Sequence, residues 1–578
     1  MKLHISKLLS LTIVIVLTRP VFAEVEYLWP DGKMPDAQAH QIAAMTDETK
    51  KSDFDADSWR RPYIDWANAP EKPNGVCMIM ISGGSYKNCC DVGLIKEWRE
   101  KFTSLGCQCV NLVYRTPWPE NLPIFMSAWQ DGQRAVRIVR SQAQKRGFDP
   151  EKIGVVSMSA GSHLSTLLAT SSLTRSYEEV DELDKQSCNV NWVLAFAPAF
   201  VLTDGYGKPN TRMGWAQDVA LDECFKFDEA TCPMCLMHGG ADKYSTIGSL
   251  RIYRKLRQMK IPAELHIAPG KGHGAYGLDR GIEFMRQMGF LGKPAKEEDL
   301  LERYPSDETR AIHEQYDIWP VGKIPDAQEK QNIPYIEWHI PSNLTTKAIQ
   351  IVWSGGAYNN SDPNRYEVAP IRRYLNERGV AVVTLRYRHP RPAKPLAKYT
   401  SAWQDAQRTI RIVRHEAKAR GLDPNNIGIM GSSAGGHLAL LCATSSKTNS
   451  YWPIDDIDKE DCSVQWAIVI YPAYASMDGL DAPNLHGGND RDNRPAPEFV
   501  FDPSTPPMLF IHGDGDGWSA MNSVLAWEQL RRMGIQSELH TLAKRGHCFQ
   551  RKASPGTGSY NWMDRIWEFL RPRIIAPN

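Results

Sequence analysis

Charge of one sign is what this sequence has least of. Its 578 residues carry 68 Lys and Arg against 67 Asp and Glu, a formal net charge of +1, and no long basic run occurs. That excludes the electrostatic footprint of a nucleic-acid-binding chain. Long apolar runs are also scarce. The candidate is Leu8–Leu17, ten residues, too short to cross a bilayer. It follows Lys2, His4 and Lys7, is closed by Arg19-Pro20, and leads to Val21-Phe22-Ala23. Residues 1–23 therefore read as an export signal cleaved before Glu24, with an uncleaved anchor as the alternative, and the mature chain is expected in the periplasm or outside the cell. A His and Cys cluster with metal-ligand spacing is missing too. The acidic pair Asp490 and Asp492 reads as a solvated loop, so neither a metal nor an organic cofactor is expected.

Cysteine thins out along the chain, with nine of the twelve before residue 300. Cys77, Cys107 and Cys109 fall in apolar runs and read as buried thiols. Cys89-Cys90, Cys224 and Cys232 fall in loops and are the disulfide candidates in an exported chain. Cys232-Pro-Met-Cys235 has redox spacing, yet it enters a strand instead of opening a helix, which favours a structural role.

What is present is a duplication. The chain is too long for one ordinary core, and its second half copies its first. Tyr27-Leu28-Trp29-Pro30 with Gly32-Lys33-Met34-Pro35-Asp36-Ala37-Gln38 returns as Asp317-Ile318-Trp319-Pro320 with Gly322-Lys323-Ile324-Pro325-Asp326-Ala327-Gln328, and Ser127-Ala128-Trp129-Gln130-Asp131 returns as Ser401-Ala402-Trp403-Gln404-Asp405. A period of roughly 270–290 residues is far above that of solenoid repeats, so whole domains are repeated. The expected division is a domain over 24–292, a charged, proline-containing linker over 293–315, and a second domain over 316–578.

Each half alternates short, β-branched apolar runs with amphipathic segments such as Trp129–Arg146 and Trp403–Arg420. This predicts two tandem α/β domains, each a mostly parallel, doubly wound sheet with helices on both faces. Ligands in such sheets sit beyond the carboxyl ends of the strands, and three strand ends carry chemistry. Gly431-Ser432-Ser433-Ala434-Gly435 joins a strand to a helix, the setting of a nucleophile elbow, and Ser157-Met158-Ser159-Ala160-Gly161 occupies the same place in the first half. The turn is so sharp that small residues must flank the serine. Asp242 and Asp516 follow the next-to-last strand of each half, with Asp514 a rival in the second, and His273 and His547 follow the last. An acid there orients the imidazole, and the imidazole takes the serine proton. Ser159 and Asp242 are 83 residues apart, as are Ser433 and Asp516, and each acid is 31 residues from its histidine. The oxyanion donors expected are the amides of Ala160 and Ala434, with Gly84 or Ser85 and Gly356 or Ala357 from the glycine loops after the first apolar run. His163 and His437 read as packing or hydrogen-bonding residues, His238 and His512 as structural. Trp129, Trp403, Tyr114 and Tyr387 read as core, and Tyr86 and Tyr358 as residues that could touch substrate.

Gly355-Gly356-Ala357-Tyr358, Tyr387-Arg388, Trp403-Gln404-Asp405-Ala406-Gln407-Arg408, Arg411-Ile412-Val413-Arg414, Asp423-Pro424 and Gly431-Ser432-Ser433-Ala434-Gly435-Gly436-His437 together resemble the carbohydrate-esterase branch of the α/β hydrolases. That branch includes acetylxylan esterases and bifunctional acetyl/feruloyl esterases. The resemblance spans nearly all of both halves and implies removal of acetyl or feruloyl esters from an acylated polysaccharide or oligosaccharide. It is weaker in the first half, where Ser157 and Ser162 replace the glycines at 431 and 436, and Ser85 ends the glycine loop. A serine peptidase or a lipase on the same fold is an alternative, though a propeller domain and a long lid insertion are both missing. A degenerate first domain with a binding or structural role is another.

Overall fold

A computed structural model of the chain describes residues 24–37, 61–89, 92–203, 220–291, 312–476, 494–551 and 562–575. The segment read as an export signal, the residue Cys90, and the pair Asp490 and Asp492 lie outside the described residues. Among those described, no helix is long and apolar enough to cross a membrane.

The first lobe holds β1 (Glu24–Tyr27), β2 (Tyr63–Trp66), β3 (Cys77–Ile81), β4 (Gln108–Val113), β5 (Ile153–Met158), β6 (Trp192–Phe196), β7 (Met234–Gly239) and β8 (Ala263–Ala268). The second repeats the series as β9 (Ile312–Asp317), β10 (Tyr335–Ile340), β11 (Ile349–Trp353), β12 (Ala381–Arg386), β13 (Ile427–Ser432), β14 (Trp466–Ile470), β15 (Met508–Gly513) and β16 (Glu538–Leu542). β9 begins inside the stretch 293–315 that reads as linker. In each lobe the six central strands run parallel, in the order β4-β3-β5-β6-β7-β8 and its repeat, and two antiparallel strands extend the outer edge. β3, β6, β11 and β14 are buried at every position. Helices covering both faces explain why these strands read as continuous apolar runs without alternation.

The two sheets are one. β8 pairs antiparallel with β16, His266 opposite His540 and Ile267 opposite Leu539, giving sixteen strands in a continuous sheet. Side chains lock this seam: the Thr541 hydroxyl accepts from the Leu265 amide at 2.7 Å, and Glu264 accepts from the Ala543 amide at 2.8 Å. Asp514 takes hydrogen bonds from Tyr253 and Arg257 of the other lobe.

The repeated peptide motifs meet in space. Asp131 accepts from Trp29 at 2.7 Å and from Arg115, whose guanidinium also reaches the Pro35 carbonyl at 2.6 Å. Asp405, Trp319 and Arg388 repeat the arrangement. The Trp-Pro segment and the Ala-Trp-Gln-Asp helix recur together because they form one buried ion-pair clasp, in which each charge needs the other. The helices run from Met126 to Ser141 and from Thr400 to Ala417, starting earlier than the apolar spacing predicts. Their polar faces are buried, so they are not surface-amphipathic. Arg134, for instance, is 2% exposed and bonds Asp181 and Asp184. Cys77, Cys107 and Cys109 are buried thiols, as expected. Cys232, a disulfide candidate by sequence, is also a buried thiol, as is Cys235. Cys224 lies on a loop whose own backbone carbonyl accepts from Ser171.

Candidate active site

Both serines sit on the turn between a strand and a helix. Ser159 follows β5 and precedes the helix Ala160–Thr170; Ser433 follows β13 and precedes the helix Ala434–Thr444. Their backbones are nearly identical, at φ 58°, ψ −121° and φ 57°, ψ −122°. A non-glycine residue at such angles is strained and persists only where the surroundings impose it. The packing around the turn shows what imposes it. A β-carbon on Gly435 would lie 2.5 Å from the Ser354 carbonyl oxygen, and one on Gly161 would lie 2.4 Å from that of Ile81. Elbow and glycine loop are therefore pressed together.

The imidazoles complete the geometry. His273 Nε2 lies 2.8 Å from Ser159 Oγ, and His273 Nδ1 lies 2.8 Å from Asp242 Oδ2. The corresponding distances for His547, Ser433 and Asp516 are also 2.8 Å and 2.8 Å. Each acid's other oxygen accepts a backbone amide, from Tyr244 at 2.9 Å and Trp518 at 2.8 Å. Burial alone would raise Asp516. Hydrogen bonds from His512 and His547 outweigh it and hold the carboxyl down to about 2. Asp242 is depressed in the same way by His238 and His273. The acids are buried while the imidazoles are a fifth to a quarter exposed, so the carboxylate charge stays in the interior and the ring faces solvent.

The sequence-predicted residues divide clearly. Asp516, not Asp514, meets the imidazole; Asp514 belongs to the seam between lobes. His238 and His512 do more than fill space. Their Nε2 atoms lie 3.1 Å and 3.3 Å from the same oxygen that holds the imidazole, and their Nδ1 atoms pair with Ser249 and Ser523 at 2.8 Å. The signal was in view, a histidine four residues before the acid in both halves. Tyr86 and Tyr358 do not line the cleft. They are about 1% exposed or less, and their hydroxyls meet Nδ1 of His163 and His437 at 2.8 Å and 2.7 Å. Their left-handed φ values of 58° and 60° close the glycine loop, with Ser85 and Ala357 beside them at 55° and 54°. Glu498, which sequence reasoning missed, receives His437 Nε2 at 2.8 Å in the second lobe. Glu367 was also missed; its carboxylate accepts from the Gly355 amide at 2.7 Å and braces the loop.

Ser157 proves compatible with the turn. In the second lobe a β-carbon at Gly431 would fall 2.1 Å from the Gly435 carbonyl oxygen and 2.6 Å from Trp353 Nε1, and the same indole donates to that carbonyl at 2.8 Å. The tryptophan holds the carbonyl against Gly431. Ile81 takes its place beside Ser157 and cannot donate, so the serine has room. Its hydroxyl joins Ser165 at 2.6 Å and Ser162 at 3.2 Å. The two serines that replace glycines in the first lobe therefore touch each other, and Ser162 also donates to the Phe196 carbonyl at 2.8 Å. Elsewhere the sites differ: His547 packs on Tyr471 and Trp518, whereas His273 packs on Tyr244. Among the described residues, the side chains grouped closely enough to hold a metal are Cys235, Glu264 and His266, at the seam and not at either serine.

Fold and elbow define two tandem α/β-hydrolase domains. The BD-FAE family model, that of an esterase family of this fold, matches residues 66–221 and 336–526, more than half of the chain. The chain belongs to the BD-FAE family. It is 28% identical over 219 residues to an acetylxylan esterase of Xylanibacter ruminicola, an alignment covering 36% of this chain and 42% of the relative. It is 26% identical over 217 residues to the probable carboxylic ester hydrolase LipM of Mycobacterium tuberculosis, covering 34% and 49%. The chain thus spans less than half the length of these curated relatives. Among solved structures, an acetyl ester-xyloside bifunctional hydrolase from Caldicellulosiruptor lactoaceticus is 25% identical, with a TM-score of 0.37, covering 45% of this chain and 95% of that one.

Proposed function

We propose that the chain is an exported carboxylic ester hydrolase that removes acetyl or feruloyl groups from polysaccharides, with one Ser-Asp-His triad in each lobe. The observation that carries the reading is the strained serine with an imidazole at 2.8 Å and a buried carboxylate behind it, formed twice from residues at the same spacings. In the reaction, His547 Nε2 takes the Ser433 proton as Oγ attacks the ester carbonyl. The oxyanion that develops accepts from the Ala434 amide and from Gly356 or Ala357; Ala160 and Gly84 or Ser85 serve Ser159 likewise. The imidazolium is stabilised by Asp516, gives its proton to the departing sugar oxygen so that it leaves as a hydroxyl, and an acyl-serine remains. Water, deprotonated by the same imidazole, then releases the acid. A preference for acetyl and sugar rests on the acetylxylan esterase among the relatives and on the carbohydrate-esterase motifs.

The test is hydrolysis of acetylated xylan, feruloylated oligosaccharides and short nitrophenyl esters by the intact chain and by Ser159→Ala and Ser433→Ala. Each single variant is expected to keep part of the acetyl-ester activity and the double variant none. Loss of all activity in Ser433→Ala alone would leave the first lobe as a degenerate domain. Absence of activity on every short-acyl ester would remove the esterase reading.

A further inference from the structure

The seam between lobes carries a polar cluster that ester hydrolysis does not use. Glu264 and His266 are two residues apart on β8 and therefore share a face of the strand, and Cys235 on β7 lies directly across from Glu264. All three are buried, and their ligand atoms lie within 4.8 Å of one another. Glu264 Oε2 is 2.9 Å from His266 Nε2 and 4.0 Å from Cys235 Sγ. We propose that Cys235, Glu264 and His266 form a binding site for one zinc-like divalent ion, which staples the first lobe to the second. This inference is independent of the esterase reading.

Three features support it. The first is orientation of the imidazole. His266 Nδ1 lies 3.0 Å from His540 Nδ1, so one of the two must carry the hydrogen. That contact holds the ring with Nε2 toward Glu264, and an outer partner on the second ring nitrogen is the arrangement metal-binding histidines use.

The second is charge. Cys235, Glu264 and His266 are all buried, so net charge left on the cluster would be costly. A dication bonded to the thiolate sulfur, a carboxylate oxygen and the imidazole nitrogen leaves the buried cluster neutral, and the protons it displaces pass to solvent. Thiolate, imidazole and carboxylate together suit zinc, and three protein ligands leave one tetrahedral position for water. His266 borders a cavity of about 630 Å³ that also includes His540, Glu538, Glu568 and Arg280, which offers a way in.

The third is asymmetry. Glu264 and His266 recur as Glu538 and His540, but the place of Cys235 is taken by Leu509. One ion per chain is therefore expected. Because Glu264 also accepts the Ala543 amide of the second lobe, an ion there would tighten the seam.

Full-length protein stripped with chelator is titrated with zinc sulfate alone by calorimetry in buffers of different ionisation enthalpy, and separately with cobalt(II). The expected result is one equivalent bound with release of protons, a higher unfolding temperature, and a thiolate-to-cobalt charge-transfer band that Cys235→Ser abolishes. His540→Phe, which removes only the orienting partner, is expected to weaken zinc about 10- to 100-fold. A wild-type cobalt spectrum without a thiolate band overturns the proposal whatever the variants do. So does zinc affinity unchanged in a folded Cys235→Ser protein.

Discussion

The serine at the first elbow makes a quantitative prediction about the second. Gly431→Ser, introduced where Ser159→Ala has silenced the first lobe, puts a β-carbon 2.1 Å from the Gly435 carbonyl oxygen. That is roughly 1 Å inside normal contact. The carbonyl cannot retreat while Trp353 Nε1 holds it at 2.8 Å, so the helix start carrying the Ala434 amide has to move instead. Displacement of about 1 Å at a reacting centre costs on the order of 100-fold in rate, or about 2.7 kcal/mol of transition-state stabilisation. Overpacking itself costs about 1–3 kcal/mol of stability. Adding Trp353→Ile copies Ile81 of the first lobe, removes the donor, and is expected to restore kcat/KM to within about tenfold of the parent. The cavity left by the indole lowers stability by about 3 kcal/mol. The assay is nitrophenyl acetate hydrolysis with near-UV dichroism to confirm folding. Full activity in Gly431→Ser, or no recovery on adding Trp353→Ile to a folded protein, would show that the Trp353-held Gly435 carbonyl does not set the limit at this turn.

Two further outcomes follow from the same geometry. His512→Ala removes one of the two imidazoles that depress Asp516. A folded-state pKa held below its ordinary value gives stability that is present above the usual carboxylate range and lost as pH falls toward about 2. Losing a donor moves that loss to higher pH, so the acid limbs of both stability and second-lobe activity should shift upward, measured by pH-dependent melting and kcat/KM. Asp514→Ala leaves Arg257 at the seam without this carboxylate and is expected to cost about 3 kcal/mol; calorimetry should then resolve two unfolding transitions, one for each lobe.

Much of this arrangement could be read from the chain. The strand ends carrying serine, acid and imidazole were visible because buried parallel strands leave uninterrupted apolar runs, and chemistry in such sheets gathers at their carboxyl ends. What stayed hidden depends on neighbours in space. The compensation for Ser157 lies at Ile81, on the adjacent strand, and only strand register brings them together. The β8–β16 pairing has no sequence signature, since an edge strand that finds a partner reads like one facing solvent. β1 and β9 carry few apolar residues, so periodicity passes over them. Tyr86 and Tyr358 adjoin the glycine loop, which in sequence places them within reach of substrate; their left-handed backbone turns them inward onto His163 and His437.

A serine activated for nucleophilic attack in each lobe, as proposed, is tested by intact-mass analysis of the chain after reaction with an alkyl fluorophosphonate. Two adducts per chain, mapped by peptide sequencing to Ser159 and Ser433 and each lost in the matching alanine variant, are the predicted result. A single adduct, or labelling at any other residue, would contradict it.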